Sequence, residues 1–345
     1  MSTKSLSLIL FISGLLGAAS YSVANQSPFD LFEQAEPGSI PSHVQLPPQA
    51  QTGMYVRANH ELLRESRLNV VLPNGKNISI GRVSTNTFPN GSKTWTGVVW
   101  GDSSSVAILS KHGTRMAGVI RTEDKLFKLQ HLGNGVHAFI EVQNTEPYPE
   151  YEPQLPAFEV SGEGSSTTSS TQALDDGNQI DIMVLYSTNT KESYGGADGV
   201  NALIATAIEE TNQAYANSVI YTELRLVKTL EVEDSSGNFG TDLSNLQGQT
   251  DGVLDYIHAE RDAYGADMVS WFIEGNQYCG IGYLNNSLSP DYPFNVVASN
   301  CATGYYSTAH ELGHNLGSHH DIANASGNGR YDYSYGYQEL ETPYR

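Results

Sequence analysis

The chain has 345 residues, of which 38 are acidic and 18 are basic, and its formal net charge is −20. This balance argues against nucleic acid as a partner, because phosphate binding needs clustered lysine and arginine. It also disfavours docking on anionic membranes and is typical of a soluble protein whose copies repel one another. The length predicts two domains once a leader is removed.

Residues 1–24 have the pattern of a secretory signal peptide. Lys4 supplies a positive start, and residues 6–16 form an apolar core that is much shorter than the roughly 20 residues of a membrane span. Ser22-Val23-Ala24 fits the pattern of a cleavage site before Asn25. We therefore expect a secreted, extracellular mature chain, with an uncleaved anchor as the alternative. No other stretch is apolar and long enough for stable membrane insertion.

Residues 25–160 have the pattern of short strands and tight turns. Pro73-Asn74-Gly75-Lys76 and Gly133-Asn134-Gly135 are hairpin signals between apolar runs. The sequence predicts an antiparallel β-rich domain that contains no group of metal ligands or catalytic nucleophiles. The predicted strands are 68–72, 78–80, 94–100, 106–109, 117–120 and 136–142.

Residues 161–177 are rich in Ser, Thr and Gly and have no apolar period, which predicts a flexible linker. From residue 178 to 345, strand and helix patterns alternate, which predicts an α/β domain. The predicted strands are 180–186, 223–232, 267–273, 280–284 and 295–299, and the predicted helices are 200–215, 251–264 and 303–316.

The chain has two cysteines, Cys279 and Cys301. In an oxidising compartment we expect them to form a disulfide bond, with two free buried thiols as the alternative. A loop of this size contributes roughly 3 kcal/mol of stability in the chain-entropy model.

The most informative stretch is residues 310–320, which has the spacing H-E-x-x-H-x-x-G-x-x-H. On a helix, residues i and i+4 share one face, so His310 and His314 can point at one ion. Glu311 is rotated by about 100° from His310. Its carboxylate is therefore placed beside the metal, where it can take a proton from a metal-bound water as general base.

A continuous helix would turn His320 away from the other two histidines. Gly317 tolerates the left-handed conformation that ends helices, so the chain can bend there and return His320 to the metal. Three neutral imidazoles leave one position open for water, which is typical of a catalytic Zn²⁺ site. The sequence predicts zinc ligands at His310, His314 and His320. His319 could compete as third ligand, but the spacing favours His320, and His319 is interpreted as a solvated neighbour.

This motif resembles that of the metzincin zinc endopeptidases, and Asp321 after the third histidine is similar to the reprolysin (adamalysin) branch and its bacterial relatives. The resemblance implies the same three zinc ligands, a catalytic base at Glu311, and a buried carboxylate at Asp321 that braces the site. It also implies a metzincin-like α/β (α+β) fold, with a twisted, mostly parallel sheet above a zinc helix and a cleft between them.

The resemblance further implies that strand 280–284 is the sheet edge facing the cleft, to which a peptide substrate adds as an extended strand. A glycine-containing edge lets a peptide backbone approach closely. From the residues alone, a strand wholly paired inside the sheet is the alternative.

Metzincins also carry a methionine-containing turn after the third histidine, forming an apolar floor under the zinc. Here every methionine precedes that histidine: Met1, Met54, Met116, Met183 and Met268. We expect that the sequence stops before this turn, with residues 331–337 leading into it.

The position of domain 25–160, between the signal peptide and the metzincin-like domain, indicates a propeptide that assists folding and blocks the site. An independent β-sandwich binding module is the alternative. No cysteine precedes Cys279, so a thiolate block on the zinc is excluded. A carboxylate, a histidine and simple steric occlusion remain as possible means of inhibition.

These features predict a secreted zinc-dependent endopeptidase that is made as a zymogen and hydrolyses protein or peptide substrates. Two alternatives stay open. One is a zinc protease of another clan, with Glu339 or Glu341 as third ligand. The other is a secreted non-catalytic zinc-binding protein, or an inactive fragment without the methionine turn.

Overall fold

The computed structural model describes residues 27–36, 38, 40, 46–145, 147–156 and 178–337. The described chain contains a nine-stranded sheet, here called the N-terminal sheet, and a five-stranded sheet surrounded by helices, here called the C-terminal unit. The predicted signal peptide (1–24) and linker (161–177) lie outside the described residues, as do Glu339 and Glu341.

The N-terminal sheet has the order β1-β2-β9-β8-β7-β6-β5-β4-β3, and all of its neighbouring strands pair antiparallel, as the sequence predicts. A 3-10 helix at His60–Arg64 connects β2 to β3. The strands are β1 (Phe32–Gln34), β2 (Thr52–Ala58), β3 (Arg67–Val71), β4 (Asn77–Thr87), β5 (Lys93–Val99), β6 (Val106–His112), β7 (Arg115–Arg121), β8 (Leu126–Gly133) and β9 (Val136–Val142).

Both predicted hairpin turns form in this sheet. Gly75 has a φ of +83° in the β3–β4 turn, and Gly135 has a φ of +73° in the β8–β9 turn. Glycine adopts this left-handed region without the steric cost that a Cβ imposes. β1, β2 and β8 were not among the predicted strands.

The C-terminal unit contains a mostly parallel sheet with the order β11-β10-β12-β14-β13, in which only the β13–β14 pairing is antiparallel. Short β13 is the edge strand. The strands are β10 (Gln179–Ser187), β11 (Glu223–Val232), β12 (Met268–Ile273), β13 (Gly280–Gly282) and β14 (Phe294–Ala298). The helices are α1 (Thr188–Ser193), α2 (Ala197–Asn217), α3 (Phe239–Gln247), α4 (Tyr256–Tyr264) and α5 (Ser307–Asn315).

Two predicted helices are shorter in the structure. α4 begins at Tyr256 rather than at residue 251, because Gly252 and Leu254 have left-handed φ values of +87° and +59°. α5 begins at Ser307 rather than at residue 303, because Tyr306 has a left-handed φ of +62°. α1 and α3 were not predicted.

Helix α2 lies between the two sheets. The Glu209 carboxylate on α2 accepts hydrogen bonds from the hydroxyls of Thr94 (3.0 Å) and Thr96 (3.1 Å) in β5. The Thr206 hydroxyl donates to Ser110 Oγ of β6 at 2.8 Å. The N-terminal sheet therefore packs directly on a central helix of the C-terminal unit.

The N-terminal sheet also contacts the loop that leads into α5. Lys128 Nζ donates to the Asn300 carbonyl at 2.6 Å, and Arg121 donates to the Gly304 carbonyl. Gly304 N–H donates to Glu210 at 2.7 Å. Burial lowers the pKa of Lys128 to about 8 and raises the pKa of Glu210 to about 7. These contacts fix the start of α5 from both sides.

The predicted disulfide bond between Cys279 and Cys301 is confirmed, with a Cα–Cα distance of 5.3 Å. It ties the residue before β13 to the loop before α5, so the edge strand and the helix are held together. Over the part of the chain that the structure describes, no helix is long and apolar enough to cross a membrane.

Candidate metal centre

Three histidine side chains converge beside α5. His310 and His314 lie one turn apart on the helix, and their Nε2 atoms are 3.0 Å apart. His320 Nε2 lies 3.2 Å from His310 Nε2. Three imidazole nitrogens bound tetrahedrally to zinc at about 2.0–2.1 Å are separated by about 3.3 Å. The donor set and its spacing therefore fit a zinc ion.

The chain reaches this arrangement by ending the helix at Gly317. Gly317 has a φ of +86°, and the N–H of Ser318 donates to the Gly313 carbonyl at 2.9 Å. A hydrogen bond of this kind across a left-handed glycine is a common helix C-terminus. The turn redirects the backbone so that His320 faces back towards His310, which is the conformation that the glycine spacing predicts.

The ring of His314 is oriented by the backbone. Its Nδ1 lies 2.7 Å from the Ser318 carbonyl oxygen. Because a carbonyl can only accept, Nδ1 carries the proton and the lone pair of Nε2 faces the other histidines. Burial lowers the pKa of His314 to about 4. The side chain is therefore neutral at neutral pH, as a metal ligand must be.

Glu311 lies between α5 and the edge strand and is fully buried. A Cβ added at Gly280 would lie 2.5 Å from Glu311 Oε1, and one at Gly282 would lie 3.0 Å from Oε2. Any larger residue at Gly280 would displace the carboxylate. The glycines of β13, which the sequence associates with close approach of a substrate backbone, thus also make room for Glu311.

Asn315 joins α5 to the sheet next to the histidines. Its Nδ2 donates to the carbonyls of Tyr283 (3.1 Å) and Phe294 (3.0 Å), and its Oδ1 accepts from Asn295 Nδ2 at 2.8 Å. These buried bonds set the height of the helix below β13 and β14. The motif gives no signal for Asn315, which occupies one of its unspecified positions.

The expectation that His319 is a solvated neighbour is wrong. The residue is only 3% exposed, and its ring stacks on Tyr335 with a centroid distance of 6.4 Å. Its Nδ1 accepts from the His320 N–H at 2.7 Å. His319 is buried because chain segments distant in sequence cover it, but it does not join the group formed by His310, His314 and His320.

The expectation that Asp321 is a buried brace is also wrong. Its side chain is partly exposed and accepts hydrogen bonds from Ala323 N–H (3.1 Å) and Asn324 Nδ2 (2.7 Å). These bonds hold the pKa of Asp321 below its usual value. The carboxylate thus stabilises its own loop.

A different carboxylate, that of Glu152, approaches the histidines. Glu152 Oε2 lies 3.5 Å from His320 Nδ1, and Oε1 lies 3.5 Å from His319 Nε2. These three residues form a second set of possible metal donors. Nothing in the local sequence marks Glu152, because it is brought to the site by the path of the segment after β9.

Comparison with known proteins assigns this chain to the metallopeptidases. Residues 176–342 match the family model Reprolysin_5, described as metallo-peptidase family M12. A peptidyl-Asp metalloendopeptidase of Stenotrophomonas maltophilia is 30% identical, over 96% of this chain and 82% of the relative. Another, from Xanthomonas campestris pv. campestris, is 31% identical, over 69% of this chain and 57% of the relative. The chain belongs to metallopeptidase family M12, in its reprolysin-like group, and is a metalloendopeptidase.

Among solved structures, metalloproteinase-II from Bacteroides fragilis aligns with a TM-score of 0.44 and 10% identity, over 74% of this chain and 82% of that one. The family membership rests on the sequence matches.

Proposed function

We propose that the chain is a zinc endopeptidase in which His310, His314 and His320 hold the metal and Glu311 is the general base. The observation that carries this proposal is the convergence of the three Nε2 atoms. That of His310 lies 3.0 Å from that of His314 and 3.2 Å from that of His320. Neutral imidazoles suit zinc, and three of them leave a coordination position for water or substrate.

Each residue of the site has a separate role in the proposed peptide hydrolysis. Zinc, when bound, would polarise the scissile carbonyl and lower the pKa of a water molecule. Glu311 takes the proton from that water and delivers it to the leaving amine. The Ser318 carbonyl keeps His314 in the tautomer with a free Nε2. Gly280 and Gly282 have no Cβ that would push the Glu311 carboxylate out of its position.

The finer organisation is part of the same proposal. In it, the C-terminal unit is a metzincin-like catalytic domain, and β13 is the edge to which a peptide substrate adds. Residues 25–160 are a propeptide, and the chain is exported after removal of residues 1–24. The disulfide bond supports export, because such bonds persist in oxidising compartments. The contacts of β5, β6 and β8 with α2 and the loop before α5 support a role in folding.

The test of the function is metal removal. After cleavage in the linker 161–177, the purified protein should digest casein, lose that activity when zinc is removed with a chelator, and regain it when zinc is added back. Undiminished digestion after complete removal of zinc would contradict the proposal. A linker-cleaved protein that binds zinc stoichiometrically but never hydrolyses casein would instead support the non-catalytic binding protein.

We extend the proposal to substrate choice. The relatives that match this chain are named peptidyl-Asp metalloendopeptidases, and we propose cleavage of peptidyl-Asp bonds here too. Two peptides that differ only by Asp or Asn after the scissile bond provide the test. We expect kcat/KM to be at least roughly tenfold higher for the Asp peptide, since a site that pairs with a charged group rejects the analogue lacking it. Equal values would contradict this specificity.

A further inference from the structure

The outer edge of β13 is occupied by a segment of the same chain. Tyr151 N–H donates to the Gly280 carbonyl at 3.1 Å, and Gln154 N–H donates to the Gly282 carbonyl at 2.9 Å. In return, the Pro149 carbonyl accepts from Cys279 N–H at 3.0 Å, and the Gln154 carbonyl accepts from Leu284 N–H at 2.9 Å. Residues 149–154, here called the strap, therefore add to the sheet as a parallel strand.

An aromatic contact of Tyr151 also holds the strap beside the edge strand. Tyr151 packs edge-on against Tyr278 with a centroid distance of 4.4 Å, and Tyr278 contacts Phe239 of α3 in the same way at 5.8 Å. Pro149 and Pro153 restrict the backbone and disfavour helical conformations before them. The strap thus loses little conformational freedom on binding.

Glu152 links the strap to the segment that follows α5 and contains His319, His320 and Ser326. Its carboxylate accepts hydrogen bonds from the N–H of Ser326, at 3.2 Å, and from the Ser326 hydroxyl. It also lies 3.5 Å from His320 Nδ1 and from His319 Nε2. His320 Nε2 faces His310 instead. Glu152 therefore contacts His320 from the side opposite the metal position.

We propose that the strap is an internal inhibitor, which occupies the substrate-binding edge of β13 while Glu152 clamps it to His320 without displacing the metal. This inference rests on the proposed function. A substrate strand would need the same N–H and C=O groups of residues 279–284 that the strap uses, so the two exclude each other. The uncleaved chain is then loaded with zinc but closed to substrate.

Of the three means of inhibition that the sequence leaves open, a carboxylate, a histidine and steric occlusion, the strap uses two. A carboxylate is involved, in combination with steric occlusion of the edge. Glu152 acts as a positioning residue through the outer nitrogen of His320, as carboxylates often do for histidine ligands. All three Nε2 atoms stay available to the ion.

The test uses the full chain with Glu311→Gln, so that the protein cannot process itself. The probe is a dansylated dipeptide hydroxamate, titrated by fluorescence after zinc content has been measured. Glu152→Gln removes the charge of the clamp, and Gln154→Pro removes one backbone donor. The matched control is Glu33→Gln, which neutralises an exposed carboxylate on β1 at the edge of the N-terminal sheet.

We expect one zinc per chain in all four proteins. Probe affinity should rise roughly tenfold with Glu152→Gln and roughly three- to tenfold with Gln154→Pro, because each variant increases the open population that binds the probe. Glu33→Gln should bind like the parent. If both strap variants bind zinc and their probe affinity is unchanged, the strap is not an inhibitor, and the proposed function is unaffected.

Hydrogen exchange gives a readout that does not need metal. The amides of Cys279 and Leu284 donate to the strap, so both should exchange faster in Gln154→Pro than in the Glu33→Gln control. Equal exchange rates in the two variants would show that the strap does not cover β13. Absence of zinc from the parent chain would overturn the proposed function instead, and exchange would still decide whether the strap covers β13.

Discussion

Replacing Glu311 by glutamine is expected to lower kcat by a factor of roughly 10²–10⁴, the usual contribution of a general base, while the chain keeps its zinc. Glutamine has the size and shape of glutamate, so it fits the space left by Gly280 and Gly282. Its amide cannot take a proton from water. The three histidines are untouched, so metal affinity should change little.

The measurement combines peptide hydrolysis with zinc analysis of the same preparation. An added protease first cleaves the linker 161–177 in all proteins, because the Glu311→Gln variant cannot process itself. Glu192→Gln is the matched control, because Glu192 is an exposed carboxylate on α1 of the C-terminal unit. The control should retain full turnover and full zinc. A Glu311→Gln protein with substantial turnover would remove Glu311 from the mechanism, whereas loss of zinc would make it a structural support of the site.

Removal of a histidine is expected to have the second large effect. His320→Ala and His314→Ala should each weaken zinc binding by more than roughly a hundredfold, which is the upper range for groups that only support a ligand. His319→Ala should weaken it by roughly tenfold or less, because His319 contacts the His320 backbone but lies outside the convergent group.

Competition with a chromophoric chelator measures the three affinities under one condition. Circular dichroism of each variant verifies that the fold is retained. If His319→Ala weakened zinc binding as much as His320→Ala while His314→Ala had little effect, the metal would belong to the second donor set, formed by Glu152, His319 and His320. That outcome would also reassign Glu152 from clamp to ligand.

The sequence predicts the strands of both sheets better than it predicts the short helices. β11 and the buried strand β12 have clear apolar patterns, and both form at or within one residue of the predicted bounds. α1 has only six residues and is stabilised by its Ser187 cap and contacts with the sheet. α3 is a nine-residue helix whose buried residues include Phe239 and Leu243. Contacts with distant parts of the chain determine whether such short helices form, so a local sequence pattern does not predict them.

The same division holds for the site. His310, Glu311, His314, Gly317 and His320 lie in one short segment, so helical geometry and one glycine turn are enough to predict that they come together. Glu152 is 174 positions from Ser326, its hydrogen-bond partner. No local rule connects residues so far apart.

The burial of single side chains near the site could not be predicted for the same reason. Whether His319 is covered depends on Tyr335 and Glu152, which approach from later and earlier segments. Asp321 is satisfied by its own loop, and the supporting carboxylate comes from the strap instead. The family motif thus specifies the candidate ligands but not the groups around them.

X-ray absorption at the zinc edge tests the central claim most directly, because it reports which atoms surround the metal. For the full chain with Glu311→Gln, we predict three nitrogen ligands at about 2.0–2.1 Å with an oxygen in the remaining position. The same spectrum of a chain that also carries His320→Ala should lose one nitrogen. A zinc shell containing sulfur, or a nitrogen count unchanged by loss of His320, would contradict a site built from His310, His314 and His320.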